Sequence, residues 1–144
     1  MRGSSLGDVL SGVLAATLVA VSCSSSDLLF VESGDIVGRW EWVRSTGGIA
    51  GTTRTPATEG YEGSLRFEAD GTVEWREDGE LQWSTTWDLL NVGSGPLADR
   101  KVIAYGDPVF GWDEQAVEIR RDGHLILTDP CCDGFEHEYV RDGP

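Results

Sequence analysis

The chain has 144 residues, a length that suits one domain, and it carries 25 acidic against 11 basic residues, for a net charge of −14. This acidic balance argues against nucleic acid as a partner, because binding to phosphates requires a basic surface. The simplest interpretation of the charge is solubility on a crowded cell surface.

Residues 1–22 have the features of a secretory signal peptide. The apolar run within them is thirteen residues long, which is too short to span a bilayer comfortably. Small Ser22 precedes Cys23 and a serine run follows it. This arrangement resembles the lipobox of bacterial lipoproteins, in which the cysteine is lipidated and becomes the new N-terminus.

The lipobox resemblance implies lipidation at Cys23 and a lipid-anchored tether over residues 23–35. The protein is then held to a membrane of the bacterial cell envelope, with the outer membrane or cell surface favoured. The small residues from Ala20 to Ser22 also fit an ordinary cleavage site, which would make the protein secreted or periplasmic.

The two remaining cysteines, Cys131 and Cys132, are adjacent. A disulfide between neighbours closes a strained ring and joins no distant segments, so the fold does not depend on a disulfide framework. We interpret the pair as free thiols or as a local ring in a turn. With His124 and His137 the pair matches no standard zinc spacing, so no metal or other cofactor is predicted.

From Gly38 onward, short runs alternate apolar and polar residues, which is typical of β-strands with one buried face. Several runs are separated by Asp-Gly pairs, which favour tight hairpins because both residues tolerate positive φ. No stretch after the signal peptide has a convincing helical period. The pattern predicts eight strands, near 38–46, 63–69, 72–77, 80–91, 101–105, 115–121, 124–128 and 135–141.

Eight sequential strands with one apolar face predict an all-β fold, an antiparallel up-and-down meander barrel. Closure removes the sheet edges that invite aggregation. A two-sheet sandwich is the main alternative, but it usually requires long crossovers between strands. The predicted inward positions include Leu65, Phe67, Val73, Trp75, Leu81, Trp83, Trp87, Val102, Ala104, Val117, Ile119, Leu125, Leu127, His137 and Tyr139.

Gly38-Arg39-Trp40 forms a G-x-W motif at the start of the first predicted strand, and Arg141 ends the last one. With the long segment 47–61 and the closing run 133–141, this order resembles the lipocalins, and more closely the small bacterial lipocalin-like lipoproteins. The resemblance implies a lipocalin-like barrel over residues 36–142, with Arg141 packed over Trp40. An arginine over an indole ring stabilises a fold by about 0.5–2 kcal/mol.

The interior of an eight-stranded barrel is either filled by side chains or holds one small ligand. Trp40, Trp75 and other large inward residues favour a filled interior, and Trp42 fits either arrangement. The alternative is a shallow pocket at the open end, covered by the loop 47–62 as a lid. Its predicted lining residues are Trp83, Trp87, His137, Tyr139, Tyr61 and Arg54. Phe110 and Trp112 are expected near a rim, in a loop over residues 105–115.

Three functions are compatible with these observations. The first is an envelope-anchored, lipocalin-like protein that binds or carries a small hydrophobic ligand. The second is an anchored protein-interaction module, an inhibitor or assembly factor, whose barrel is solid. The third, an enzyme, is not predicted, because no serine or cysteine nucleophile has a histidine and a carboxylate in a plausible order.

Overall fold

The computed structural model describes residues 31–92 and 100–143. The predicted signal peptide, Cys23 and the tether as far as residue 30 lie outside the described residues. Among the helices of residues 31–92 and 100–143, none has the length and hydrophobicity needed to cross a lipid bilayer. The elements are β1 (Gly38–Gly47), β2 (Thr52–Arg54), β3 (Gly63–Phe67), β4 (Thr72–Glu77), β5 (Glu80–Val92), β6 (Arg100–Val109), β7 (Trp112–Ile119), β8 (Leu125–Thr128) and β9 (Phe135–Arg141), with helices α1 (Ser33–Ile36) and α2 (Pro56–Glu59).

Eight of these strands form a closed antiparallel barrel, which confirms the predicted fold class. Strands β3 to β8 each pair with the next strand in the chain, and β1 pairs with both β3 and β9. In the closing pair, Trp40 lies opposite Arg141 and Trp42 lies opposite Tyr139. Closure therefore gives each barrel strand a partner on both sides, which removes the open edges of a flat sheet.

The Asp-Gly pairs at 70–71, 78–79, 122–123 and 133–134 lie in connections between strands. The pair at 78–79 forms the whole connection between β4 and β5, with φ of 51° at Asp78 and 85° at Gly79. Positive φ at both central residues is the requirement of the tightest hairpin turns, and Asp-Gly meets it with little strain.

The interior follows the predicted alternation on most strands, but on β6 the opposite face is buried in the main core. Val102 and Ala104 were expected to face inward, but Ile103 and Tyr105 join the main core, while Val102 packs separately with Ala116. Residues 102–105 are all apolar or aromatic, so alternation alone does not choose a face. The pairing with β5 chooses it, because that pairing sets Tyr105 opposite the buried Trp87.

A second correction concerns Leu81, which was expected to face inward and is 50 % exposed. The ladder between β4 and β5 shifts after the Trp75–Trp83 pair, so that Arg76 lies opposite Leu81. An irregularity of this kind reverses the face that the following residues present.

Two segments that were expected to be loops contain regular structure. Within 47–62, β2 pairs with the end of β1, and α2 begins after Thr55, whose side chain accepts a hydrogen bond from the Thr58 N–H. Within 105–115, β6 and β7 continue to a two-residue turn at Phe110 and Gly111. Both segments extend the barrel wall beyond its predicted height.

Helix α1 covers one end of the barrel, which we call the closed end. The Trp40 indole N–H donates to the Ile36 carbonyl over 2.7 Å, and Ile36 is fully buried. The Arg141 guanidinium lies 4.3 Å from the centre of the Trp40 ring and donates to the carbonyls of Asp35 and Val37. The contact implied by the family resemblance is therefore present, and it also holds α1 in place.

Candidate functional site

The other end of the barrel, which we call the open end, contains a cavity of about 310 Å³. It lies where β1 ends and β9 begins, and the segments after β1 and β8 border it. Seven aromatic side chains line it: Trp42, Tyr61, Trp75, Phe110, Trp112, Phe135 and Tyr139. The interior is thus filled towards the closed end and open at the other.

Phe110 extends across the mouth of this cavity from the turn between β6 and β7. Its ring stacks on His137 at a centroid distance of 5.5 Å and meets Trp75 and Trp83 edge-on at 5.3 and 5.7 Å. Phe110 has a φ of 51°, a conformation that is rare for a bulky residue and strained. A strained aromatic residue that is 43 % exposed at a cavity mouth indicates a role in that cavity.

A chain of hydrogen bonds orients His137 in the cavity wall. The Trp42 indole N–H donates to the Ser45 hydroxyl over 2.9 Å, and that hydroxyl bonds Nδ1 of His137 over 2.7 Å. On the other side of the ring, Nε2 is buried without a hydrogen-bond partner. Asp129 Oδ1 lies 3.4 Å from this nitrogen.

Asp129, which also lines the cavity, continues the polar network. Its carboxylate accepts hydrogen bonds from the Gln115 side chain over 2.7 Å and from the Phe135 backbone N–H over 2.8 Å. Burial pushes the pKa of Asp129 upward, but the interactions with His137, Phe135 and Gln115 outweigh it and hold the pKa below its usual value. The Tyr105 hydroxyl donates to the Gln115 side chain over 2.8 Å and is the last member of this hydrogen-bond network.

Tyr61 and Arg54 reach the cavity from the segment that joins β1 to β3. Tyr61 stacks on Trp42 with 5.8 Å between ring centres, and Arg54 lies 5.0 Å above the ring of Phe135. Burial, with the nearby Glu77 and Glu59, raises the pKa of Tyr61, so its hydroxyl stays protonated at neutral pH.

Four of the six predicted ligand-binding residues meet at this cavity, namely Arg54, Tyr61, His137 and Tyr139. Trp83 and Trp87 do not line it. Trp83 packs behind Phe110, and Trp87 lies towards the closed end, where its N–H donates to the Glu68 carbonyl.

Sequence reasoning missed Ser45 and Asp129. The ladder between β1 and β9 shifts between Trp42 and Arg44, and this shift turns Ser45 inward at a position where simple alternation would place Arg44. Asp129 directly follows β8, in a stretch that reads as a turn, and no local signal marks it as buried.

The cysteines and His124 lie apart from this network. Cys131 and Cys132 are exposed free thiols whose sulfur atoms are 3.8 Å apart, and His124 Nδ1 bonds Glu138 over 2.6 Å. In the part of the chain that the structure describes, no group of three or more His, Cys, Asp or Glu residues is placed to hold a metal ion.

The fold and cavity together define a class of protein, a closed eight-stranded β-barrel with an aromatic pocket at its open end. Comparisons of the chain with protein-family models, curated proteins and solved structures found no match. The resemblance to the lipocalins therefore stays a prediction from the G-x-W motif and the terminal arginine.

Proposed function

We propose that this chain is an envelope-anchored, lipocalin-like binding protein whose open-end cavity takes a small ligand with an apolar or aromatic body. The cavity itself is the observation that carries the proposal, because its aromatic wall supplies apolar contact and its few polar groups supply orientation. At about 310 Å³ it is at the lower end of the range for small-molecule sites. This size favours a compact ligand over a long acyl chain.

The anchoring part of the proposal is supported by the sequence around Cys23. We expect metabolic palmitate labelling of the full chain and loss of the label in Cys23→Ser. Label that persists in Cys23→Ser would contradict anchoring at this residue without affecting the pocket.

The binding part is tested on residues 24–144, a chain that contains every contact described above. We expect a co-purifying small molecule in an organic extract examined by mass spectrometry, or saturable binding of compact aromatic and isoprenoid alcohols by calorimetry. An empty extract together with no saturable binding would favour the protein-interaction module.

Phe110 provides a sharper test of where binding occurs. Phe110→Gly removes the ring at the mouth and relieves the strain of its positive φ. We expect ligand affinity measured by calorimetry to fall about fivefold or more, while the free energy of unfolding changes by less than about 1 kcal/mol.

Leu90→Ala is the matched control, because Leu90 is a large apolar residue with the same 43 % exposure as Phe110 and does not line the cavity. It should leave ligand affinity unchanged. Equal effects of the two substitutions on affinity would contradict a role for the Phe110 ring in binding.

Ester hydrolysis is a second candidate, favoured by one observation. The cavity wall contains a serine, a histidine and an aspartate in the order of a catalytic triad. Ser45 Oγ lies 2.7 Å from His137 Nδ1, and His137 Nε2 lies 3.4 Å from Asp129 Oδ1. In such a reaction the Ser45 hydroxyl gives its proton to His137 Nδ1 as its oxygen attacks the ester carbon, and Asp129 stabilises the imidazolium. The imidazolium gives that proton to the departing alcohol as the ester C–O bond breaks, and water then hydrolyses the acyl-serine by the same route. Binding ranks first, because Trp42 already donates to the Ser45 oxygen. The 3.4 Å between His137 and Asp129 also exceeds the length of an ordinary hydrogen bond.

A fluorophosphonate probe separates the two candidates. Hydrolysis predicts covalent labelling of the wild type, confirmed at Ser45 by peptide mapping, and no labelling of Ser45→Ala. Absence of labelling in the wild type would contradict the catalytic role and leave the binding proposal in place.

A further inference from the structure

The charged side chains around the cavity are predominantly acidic. Glu59, Asp129 and Asp133 line it, and Arg54 is the one lysine or arginine among its lining residues. The whole chain carries a net charge of −14, so the surrounding field has the same sign. A cavity with this balance attracts cations and repels carboxylates.

Asp129 brings a negative charge into the cavity wall. The residue is 6 % exposed, and its low pKa keeps the carboxylate ionised at neutral pH. Among the described residues, its ion-pair partner is His137 alone, which is charged only when protonated. Its two hydrogen bonds, from Gln115 and the Phe135 N–H, leave lone pairs that can accept further bonds, and a ligand cation can supply them.

His137 Nε2, next to Asp129, is a buried polar atom that lacks a hydrogen-bond partner. The residue is 9 % exposed, and this nitrogen is buried with no hydrogen bond. Because the Ser45 hydroxyl can either donate to Nδ1 or accept from it, Nε2 is free to accept from a ligand N–H or donate to a ligand oxygen. A carboxylate that can accept further hydrogen bonds and a ring nitrogen without a partner thus lie side by side, with 3.4 Å between Asp129 Oδ1 and His137 Nε2.

The aromatic wall suits a cation as well. Ring faces carry partial negative charge and attract ammonium and guanidinium groups at centroid distances up to about 6 Å. The chain already shows this interaction at the mouth, where the Arg54 guanidinium lies 5.0 Å above the Phe135 ring.

We propose that the cavity binds a small organic cation, an amine joined to a compact aromatic or aliphatic body. The body packs among the aromatic rings, and the ammonium donates hydrogen bonds from the cavity side to the Asp129 carboxylate and to His137 Nε2. This inference rests on the proposed binding function and names its ligand class. Arg54 competes with such a ligand through its own positive charge.

Three probes that differ mainly in charge test the proposal by calorimetry on residues 24–144 at neutral pH. They are phenethylamine, the neutral phenethyl alcohol and the anionic phenylacetate. We expect the amine to bind about tenfold or more tighter than the alcohol, and phenylacetate to bind weakest.

Two substitutions test the proposal independently, because one removes a negative charge from the cavity and the other removes a positive charge. Asp129→Asn should weaken phenethylamine binding about tenfold and leave phenethyl alcohol unchanged, and Arg54→Gln should strengthen phenethylamine binding several-fold. Asp113→Asn is the matched control for lost charge, because Asp113 is exposed and does not line the cavity. Circular dichroism checks that each variant is folded. If Asp129→Asn unfolds, Arg54→Gln still tests the proposal, because Arg54 is exposed and its substitution leaves the core intact.

Equal affinity for the amine and the alcohol, or tighter binding of phenylacetate, would overturn the cation preference while leaving a binding pocket. No saturable binding of any of the three would also overturn it. The extraction and alcohol panel described above then decide separately whether the cavity holds another ligand.

Discussion

Trp40→Ala is expected to lower the free energy of unfolding by about 3–5 kcal/mol, the usual cost of removing a large aromatic residue from a core. Trp40 is 1 % exposed, and its ring is in contact with the Arg141 guanidinium. Its N–H also holds Ile36, so the substitution loosens α1 and opens the closed end. Urea denaturation followed by circular dichroism measures this change.

Trp112→Ala is the matched control for Trp40→Ala, since Trp112 is partly exposed at the cavity rim. It should cost less than about 1 kcal/mol in stability. Trp40→Ala within about 1 kcal/mol of the wild type would contradict the role of this residue in closing the barrel.

Asp129→Ala is expected to cost about 2–4 kcal/mol, because it leaves two buried donors, the Gln115 amide and the Phe135 N–H, without their acceptor. Asp129→Asn keeps an acceptor oxygen and should cost less. The ranking is measured by urea denaturation at about pH 7, where the wild-type carboxylate is ionised.

The pH dependence of this effect has a defined sign. The pKa of Asp129 is lower in the folded protein than its usual value of 3.8, so its contribution is fully present above about pH 4. It is lost as the pH falls through the lower, folded-state pKa. The stability difference between wild type and Asp129→Asn should therefore shrink from about pH 7 to about pH 3, and a difference that grows would contradict the assignment.

The barrel could be predicted from the sequence because two local signals agreed along most of it. Alternation fixed the buried face of β3, β4, β8 and β9, and the Asp-Gly pairs fixed where strands turn. The G-x-W motif and Arg141 then indicated how the first and last strands meet. Each of these signals depends on residues close in sequence, apart from the last pair.

The errors arose where the pairing between strands or an unusual turn residue, and not alternation within one strand, decides local structure. Leu81 and Ser45 each lie beside a ladder irregularity, which alternation cannot reveal. The turn at Phe110 and Gly111 escaped notice because phenylalanine is an unusual residue at positive φ. The same strain that hid the turn marks Phe110 as part of the site.

The candidate site could be predicted only in part, for the same reason. Arg54, Tyr61, His137 and Tyr139 were expected at the open end from their place in the chain. The polar network was not expected, because Ser45, Asp129 and Gln115 come from three separate segments and meet only after β9 pairs with β1 and β8.

The most direct test of a binding site at the open end is a nitrogen-edited NMR titration of the six tryptophan indole N–H signals with phenethylamine and phenethyl alcohol. We expect saturable shifts for Trp42, Trp75 and Trp112, which line the cavity, and constant positions for Trp40 and Trp87. No saturable shift with either probe, or shifts centred on Trp40 and Trp87, would contradict the proposed site.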